Sequence, residues 1–121
     1  MRFAFAALLL AHGVAHLVGF AVPWKLLSSE EVPYRTTILG SVIDVGHAGA
    51  RALGVVWLAA ALAFVLLAAA VLAGLNVRPW TSAMLGMSIV LCVIGWPEAR
   101  IGLVVNALML AALFAMPDLA R

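Results

Sequence analysis

The chain has 121 residues, 67% of them apolar and 10% charged, with a formal net charge of +2. A soluble domain carries about 25% charged and 45–50% apolar residues, and a chain this small has too much surface to hide the excess. A soluble monomer and a disordered chain are therefore both excluded, whereas four membrane spans of about 20 residues would account for about two thirds of the chain.

Read in order, Met1-Arg2 and the run FAFAALLLA have the basic start and apolar core of a signal peptide, and Gly13-Val14-Ala15 is a weak cleavage site. The apolar run continues to Val22, however, and predicts an uncleaved first helix over residues 3–22, stopped by Pro23 and anchored at the interface by Trp24. Residues 23–51 form the polar loop, opening with KLLSSEEVPYRTT at 25–37. Within it, ILGSVIDVGHAGA at 38–50 is rich in glycine, which argues against a stable helix. Val42–Val45 has a β-like flavour, but a lone strand cannot face lipid with unpaired backbone. The expectation is an ordered or re-entrant loop seated on the bundle, with a short helix from Asp44 as the alternative. A second span over 52–75 contains no charge, and Asn76-Val77-Arg78-Pro79 is a turn. The third span covers 80–96. Pro97 suits the first turn of the fourth, at 98–116, where Glu98 meets the positive end of the helix dipole. Pro117–Arg121 reads as a tail.

The fold class expected is all-α: an integral membrane four-helix bundle, a single domain, with an ordered Gly-rich loop between helices 1 and 2. Four spans put both termini on one side, A, with Arg2, Arg78, Asp118 and Arg121. Side B carries Lys25, Glu30, Glu31, Arg35, Asp44, His47, Arg51, Glu98 and Arg100. Lys and Arg are nearly balanced between the sides, so the positive-inside rule gives only a lean toward cytoplasmic termini. No run of Lys or Arg exists, which leaves no nucleic-acid footprint and no polybasic lipid patch. Cys92 has no second cysteine to pair with.

Chemistry is concentrated in a few polar residues. His12 and His16 are four apart and share a face of the first helix inside the membrane, where an ionisable group is a functional candidate by default. Two imidazoles at that spacing can chelate a metal, but the intervening residues Gly-Val-Ala lack the Glu of a metalloprotease. The bland alternative is a neutral pair bonded to neighbouring helices. Asp44, His47 and Arg51 would line one face if their segment were helical, with Asp44 orienting His47 or pairing with Arg51. Glu98 and Arg100 read as a paired turn at the surface, and Asn106 as an amide bonding across helices. Small residues at four-residue spacing (Ala11, Ala15, Gly19; Ser82, Gly86; Gly102 with Asn106) suggest close helix approach.

His12-Gly-Val-Ala-His16-Leu-Val-Gly-Phe20, Leu53-Gly-Val-Val-Trp57-Leu-Ala-Ala-Ala and Trp96-Pro-Glu98-Ala-Arg100-Ile-Gly102-Leu-Val-Val-Asn106 together resemble a family of small, uncharacterised four-transmembrane-helix bacterial membrane proteins. The likeness covers about residues 8–112. It implies the four-helix architecture, an actinobacterial source and an inner-membrane location, and it hands over no catalytic residues. Asp44-Val-Gly46 fits the group, while His47 departs from it. The leading functional expectation is a non-enzymatic subunit or accessory module of a membrane complex, surrounded by lipid and either homo-oligomeric or part of a larger assembly. The alternatives are a carrier or binder of a small or lipophilic ligand at a site lined by His12, His16, Trp57 and Asn106, and a metal- or haem-binding redox protein using His12 and His16. The sequence requires no cofactor.

Overall fold

The computed structural model describes residues 1–121. The chain is almost entirely helical: α1 (Arg2–Ala21), α2 (Gly46–Leu72), α3 (Arg78–Ile94) and α4 (Arg100–Ala115), with a short 3-10 turn at Pro117–Ala120. Two helices, α1 and α2, are long and apolar enough to cross a membrane, with mean hydropathies of 1.9 and 2.8. The other two are apolar but shorter, at 17 and 16 residues.

Helix α1 lies along α2, and α3 along α4, with fewer contacts between the two pairs. Glycine sets the first of these contacts. A Cβ on Gly13 would meet the Phe64 Cβ at 2.9 Å and the Ala61 carbonyl at 3.0 Å, and one on Gly19 would overlap the Trp57 ring. Between α3 and α4, a Cβ on Gly102 would crowd the Cys92 sulfur at 2.9 Å. The small-residue rows read from the sequence are only partly used: Ala11 and Ala15 are exposed, and nothing lies within 4 Å of where a Cβ on Gly86 would be.

The apolar core occupies end A, the end holding both termini. Phe5, Leu9, Phe64, Val71, Leu85 and Leu113 are all buried there. Residues 117–121 are no loose tail. Leu119 and Ala120 are buried, and the Ala120 carbonyl accepts the Val77 N–H at 2.9 Å, which seats the segment under the α2–α3 turn.

The loop between α1 and α2 departs most from expectation. Two short strands, β1 (Thr37–Ile38) and β2 (Ile43–Asp44), pair antiparallel with Thr37 opposite Asp44 and Ile38 opposite Ile43. The β-like residues are therefore partnered. Helix α2 begins at Gly46 rather than at 52, six residues earlier than the apolar run alone indicates. The Asp44 carboxylate accepts the Gly46 N–H at 2.9 Å, an Asx-type turn into the helix. The hairpin tip turns through Leu39, Gly40 and Ser41, all at positive φ. Its N–H groups reach across the bundle: Leu39 donates to the Ile94 carbonyl at 2.9 Å and Gly40 to the Trp96 carbonyl at 3.0 Å. Those bonds tie the loop to the far end of α3. Residues 95–99 form a turn before α4, so Pro97 and Glu98 precede the helix rather than opening it.

Candidate functional site

The bundle is solid at end A and hollow at end B. Midway between them sits a buried polar network drawn from three helices. His12 and His16 come from α1, Ser88 from α3 and Asn106 from α4, and each is at most 6% exposed. Apolar sequence on every side forces these groups to satisfy one another, because a buried polar group without a partner costs a few kcal/mol.

Carbonyl oxygens, which only accept, fix every proton in the network. The Asn106 Nδ2 lies 2.8 Å from the Gly102 carbonyl, so this atom is the amide nitrogen and Oδ1 is the acceptor 3.0 Å from His12 Nε2. His12 must then carry its proton on Nε2 and donate it to Asn106. The His12 carbonyl lies 2.8 Å from His16 Nδ1, so His16 carries its proton on Nδ1 and donates there. Its Nε2 is left as an acceptor and takes the Ser88 hydroxyl proton at 2.7 Å. Ser88 Oγ in turn accepts the second Asn106 amide proton at 2.8 Å. The chain of donors is closed, and both imidazoles are neutral in it.

One atom stands outside this scheme. His12 Nδ1 has a lone pair and no hydrogen-bond partner, since the contacts of His12 all run through Nε2 or its carbonyl. No fully buried side-chain nitrogen or oxygen lacks a partner. The nitrogen therefore keeps some accessible surface, and His12 lines a cavity.

That cavity has a volume of about 390 Å³ and lies between α1 and α4 on the end-B side of the network. Its walls are largely apolar: Ala15, Val18 and Gly19 on α1, Trp57 on α2, and Ile101 and Val105 on α4. Ala15 and Ile101 both line it and are exposed, so it opens sideways between α1 and α4. His16 stands between the Phe64 and Trp57 rings, each with its centroid 5.1 Å away. At the mouth, Arg35 and Glu98 form an ion pair at 3.2 Å.

Of the residues singled out in the sequence, His12, His16 and Trp57 line the cavity. Asn106 does not; it is fully buried behind His12 and holds that ring in place. The polar groups of end B do not form the cluster expected. His47 bonds to the Tyr34 hydroxyl and stacks on its ring. Arg51 lies over the Trp24 ring at 5.6 Å, and its carbonyl accepts the Trp24 indole N–H at 3.1 Å. Asp44 stands outside α2, so it shares no helix face with either. Its carboxyl is held below the usual carboxylate range by the Gly46 N–H and then by the Thr36 side chain. Glu98 pairs with Arg35, not with Arg100 two residues along, because the turn at 95–99 aims its carboxylate across the bundle at the loop. No third His, Cys, Asp or Glu joins His12 and His16 in a ligand set. Sequence reasoning missed Ser88, Arg35 and Tyr34. A hydroxyl in the middle of an apolar helix, four residues from Cys92, was the one available signal for the first. Comparison of the chain with family models, with curated proteins and with solved structures gives no match.

Proposed function

We propose that this chain crosses the bilayer with all four helices and binds a small lipophilic ligand in the cavity between α1 and α4. The cavity carries the ligand reading. At about 390 Å³ it lies within the roughly 300–1,000 Å³ range of small-molecule sites, which combine apolar walls with a few placed polar groups. Its sideways opening suits a ligand that arrives through lipid. A subunit role needs no such space, and a metal or redox role finds three of the four imidazole nitrogens of His12 and His16 already engaged.

Surface chemistry supports the membrane reading. Large apolar side chains face outward on every helix, among them Leu66 at 70%, Leu108 at 65% and Met87 at 53% exposure. Exposed apolar surface spread over all faces marks a lipid-facing protein. The charged groups instead gather in the loops and helix ends. Helices of 17 and 16 residues reach about 24–26 Å at 1.5 Å per residue, which a slightly thinned bilayer accommodates. Exposed Trp80 and Trp96 flank α3 as interfacial anchors.

The test uses purified protein in nanodiscs and para-hexylanisole, an apolar probe with no donor. Its addition should raise the Tm of the native protein and leave Ala15→Trp, whose indole fills the cavity from the exposed face of α1, unmoved. Equal responses of the two proteins, or none in either, would remove the ligand-binding reading.

A further inference from the structure

We infer that the ligand is a neutral amphiphile with a hydroxyl or phenol group, held by donating that proton to His12 Nδ1. This inference rests on the ligand-binding reading and names the chemistry of the same site.

The argument is one of hydrogen-bond arithmetic. A ligand head reaching the floor of the cavity meets the network only where it is incomplete. Both protons of the Asn106 amide are committed to Gly102 and Ser88. The Ser88 proton is committed to His16, the His16 Nδ1 proton to the His12 carbonyl, and the His12 Nε2 proton to Asn106. The floor therefore has no donor left to offer. What it presents is a single lone pair, on His12 Nδ1. A carboxylate, a phosphate or a ketone finds no donor at this floor; the uncommitted indole N–H of Trp57 belongs to the wall instead. The charge at the mouth is balanced, because Arg35 is paired with Glu98 at 3.2 Å, and it stands away from the floor. An ammonium would have to shed its hydration into a largely apolar chamber with no carboxylate at the floor, which is unfavourable. A neutral hydroxyl loses little on leaving the bilayer and gains one hydrogen bond, while its apolar body replaces lipid contacts with Trp57, Val105 and the α1 wall.

The arrangement also distinguishes oxidation states. A hydroquinone has the proton that His12 Nδ1 can accept, whereas the corresponding quinone has only carbonyls. At His12 the site thus favours the hydroxylated partner of any such pair, by the same rule that leaves a site built for an OH weak toward the analogue lacking it.

Para-hexylphenol and para-hexylanisole differ at this one proton and test the inference. Binding of each to native protein in nanodiscs is compared with binding to His12→Phe, so that partition into lipid cancels. Native protein should prefer the phenol about tenfold, the value of one good hydrogen bond, and His12→Phe should show no preference. Because His12→Phe also breaks the bond to Asn106, a second measurement uses the unaltered chain. With ¹⁵N-histidine label, the unprotonated His12 Nδ1 resonance should move on adding the phenol and stay still on adding the anisole. If both probes bind equally and the resonance does not move, the hydroxyl assignment is overturned while ligand binding stands. If neither binds, both fall. A phenol preference with an unmoved resonance would also overturn the role of His12.

Discussion

Replacing Asn106 by Leu should loosen the whole bundle, because this one amide ties α4 to both other polar helices. The substitution keeps volume and removes two interhelical bonds, His12 to Asn106 at 3.0 Å and Asn106 to Ser88 at 2.8 Å. Interhelical hydrogen bonds in membranes average about 0.6 kcal/mol each and reach about 1.7. The expected loss is therefore about 1–3 kcal/mol, the upper part arising because the His12 Nε2 proton is left without an acceptor in a dry interior. A double-mutant cycle isolates the bond itself. Asn106→Leu, His12→Leu and the double variant are unfolded from mixed micelles with increasing anionic detergent. The single losses should exceed the double by about 0.6–1.7 kcal/mol of coupling. As a control, Asn106→Leu combined with Phe5→Leu, in the separate core at end A, should be additive within about 0.5 kcal/mol. Additivity of the His12 and Asn106 variants would refute the proton assignment on which the site is built.

Further expectations concern packing and the loop. Gly19→Ala drives a Cβ against the Trp57 ring and should cost about 1–3 kcal/mol, whereas Gly86→Ala, with open space around it, should be neutral or stabilising by up to about 1 kcal/mol; the same unfolding assay compares them. Asp44 has its folded-state pKa lowered, first by the Gly46 N–H. A carboxyl lowered on folding stabilises above its unfolded pKa and loses that contribution as pH falls through the folded one. The native protein should therefore lose stability relative to Asp44→Asn as the pH drops below about 4, read as a narrowing difference in Tm between the two.

Helix number and order were legible because apolar runs broken by Pro23, Pro79 and Pro97 leave few alternatives. The i, i+4 spacing of His12 and His16 likewise put both on one face. What spacing along one helix cannot state is which helix lies opposite, so Ser88 and the closed network it completes were invisible until α3 was in place. The loop was harder for another reason. Two of the three left-handed residues at the hairpin tip are Leu39 and Ser41, types that rarely adopt that conformation, and the bonds to Ile94 and Trp96 that hold them come from residues more than 50 positions away. Local composition was enough to expect an ordered loop, but not the paired strands and tertiary bonds that order it. Similarly, nearness in sequence suggested Glu98 with Arg100, while the turn between α3 and α4 decided for Arg35.

The backbone bonds from the hairpin tip to the α3–α4 turn have a mechanical meaning. Two helical hairpins, α1 with α2 and α3 with α4, are clamped at end A by the core and braced at mid-height by the His12–Asn106 contact. Beyond that brace the pairs resemble the arms of a pair of tongs, and the Leu39 and Gly40 bonds, with the Arg35–Glu98 ion pair, form the ring slipped over the open tips. The gape of the chamber is then governed by the length and turn geometry of a surface loop rather than by the helices. Lengthening or shortening that loop would resize the chamber while leaving every residue of the four helices unchanged.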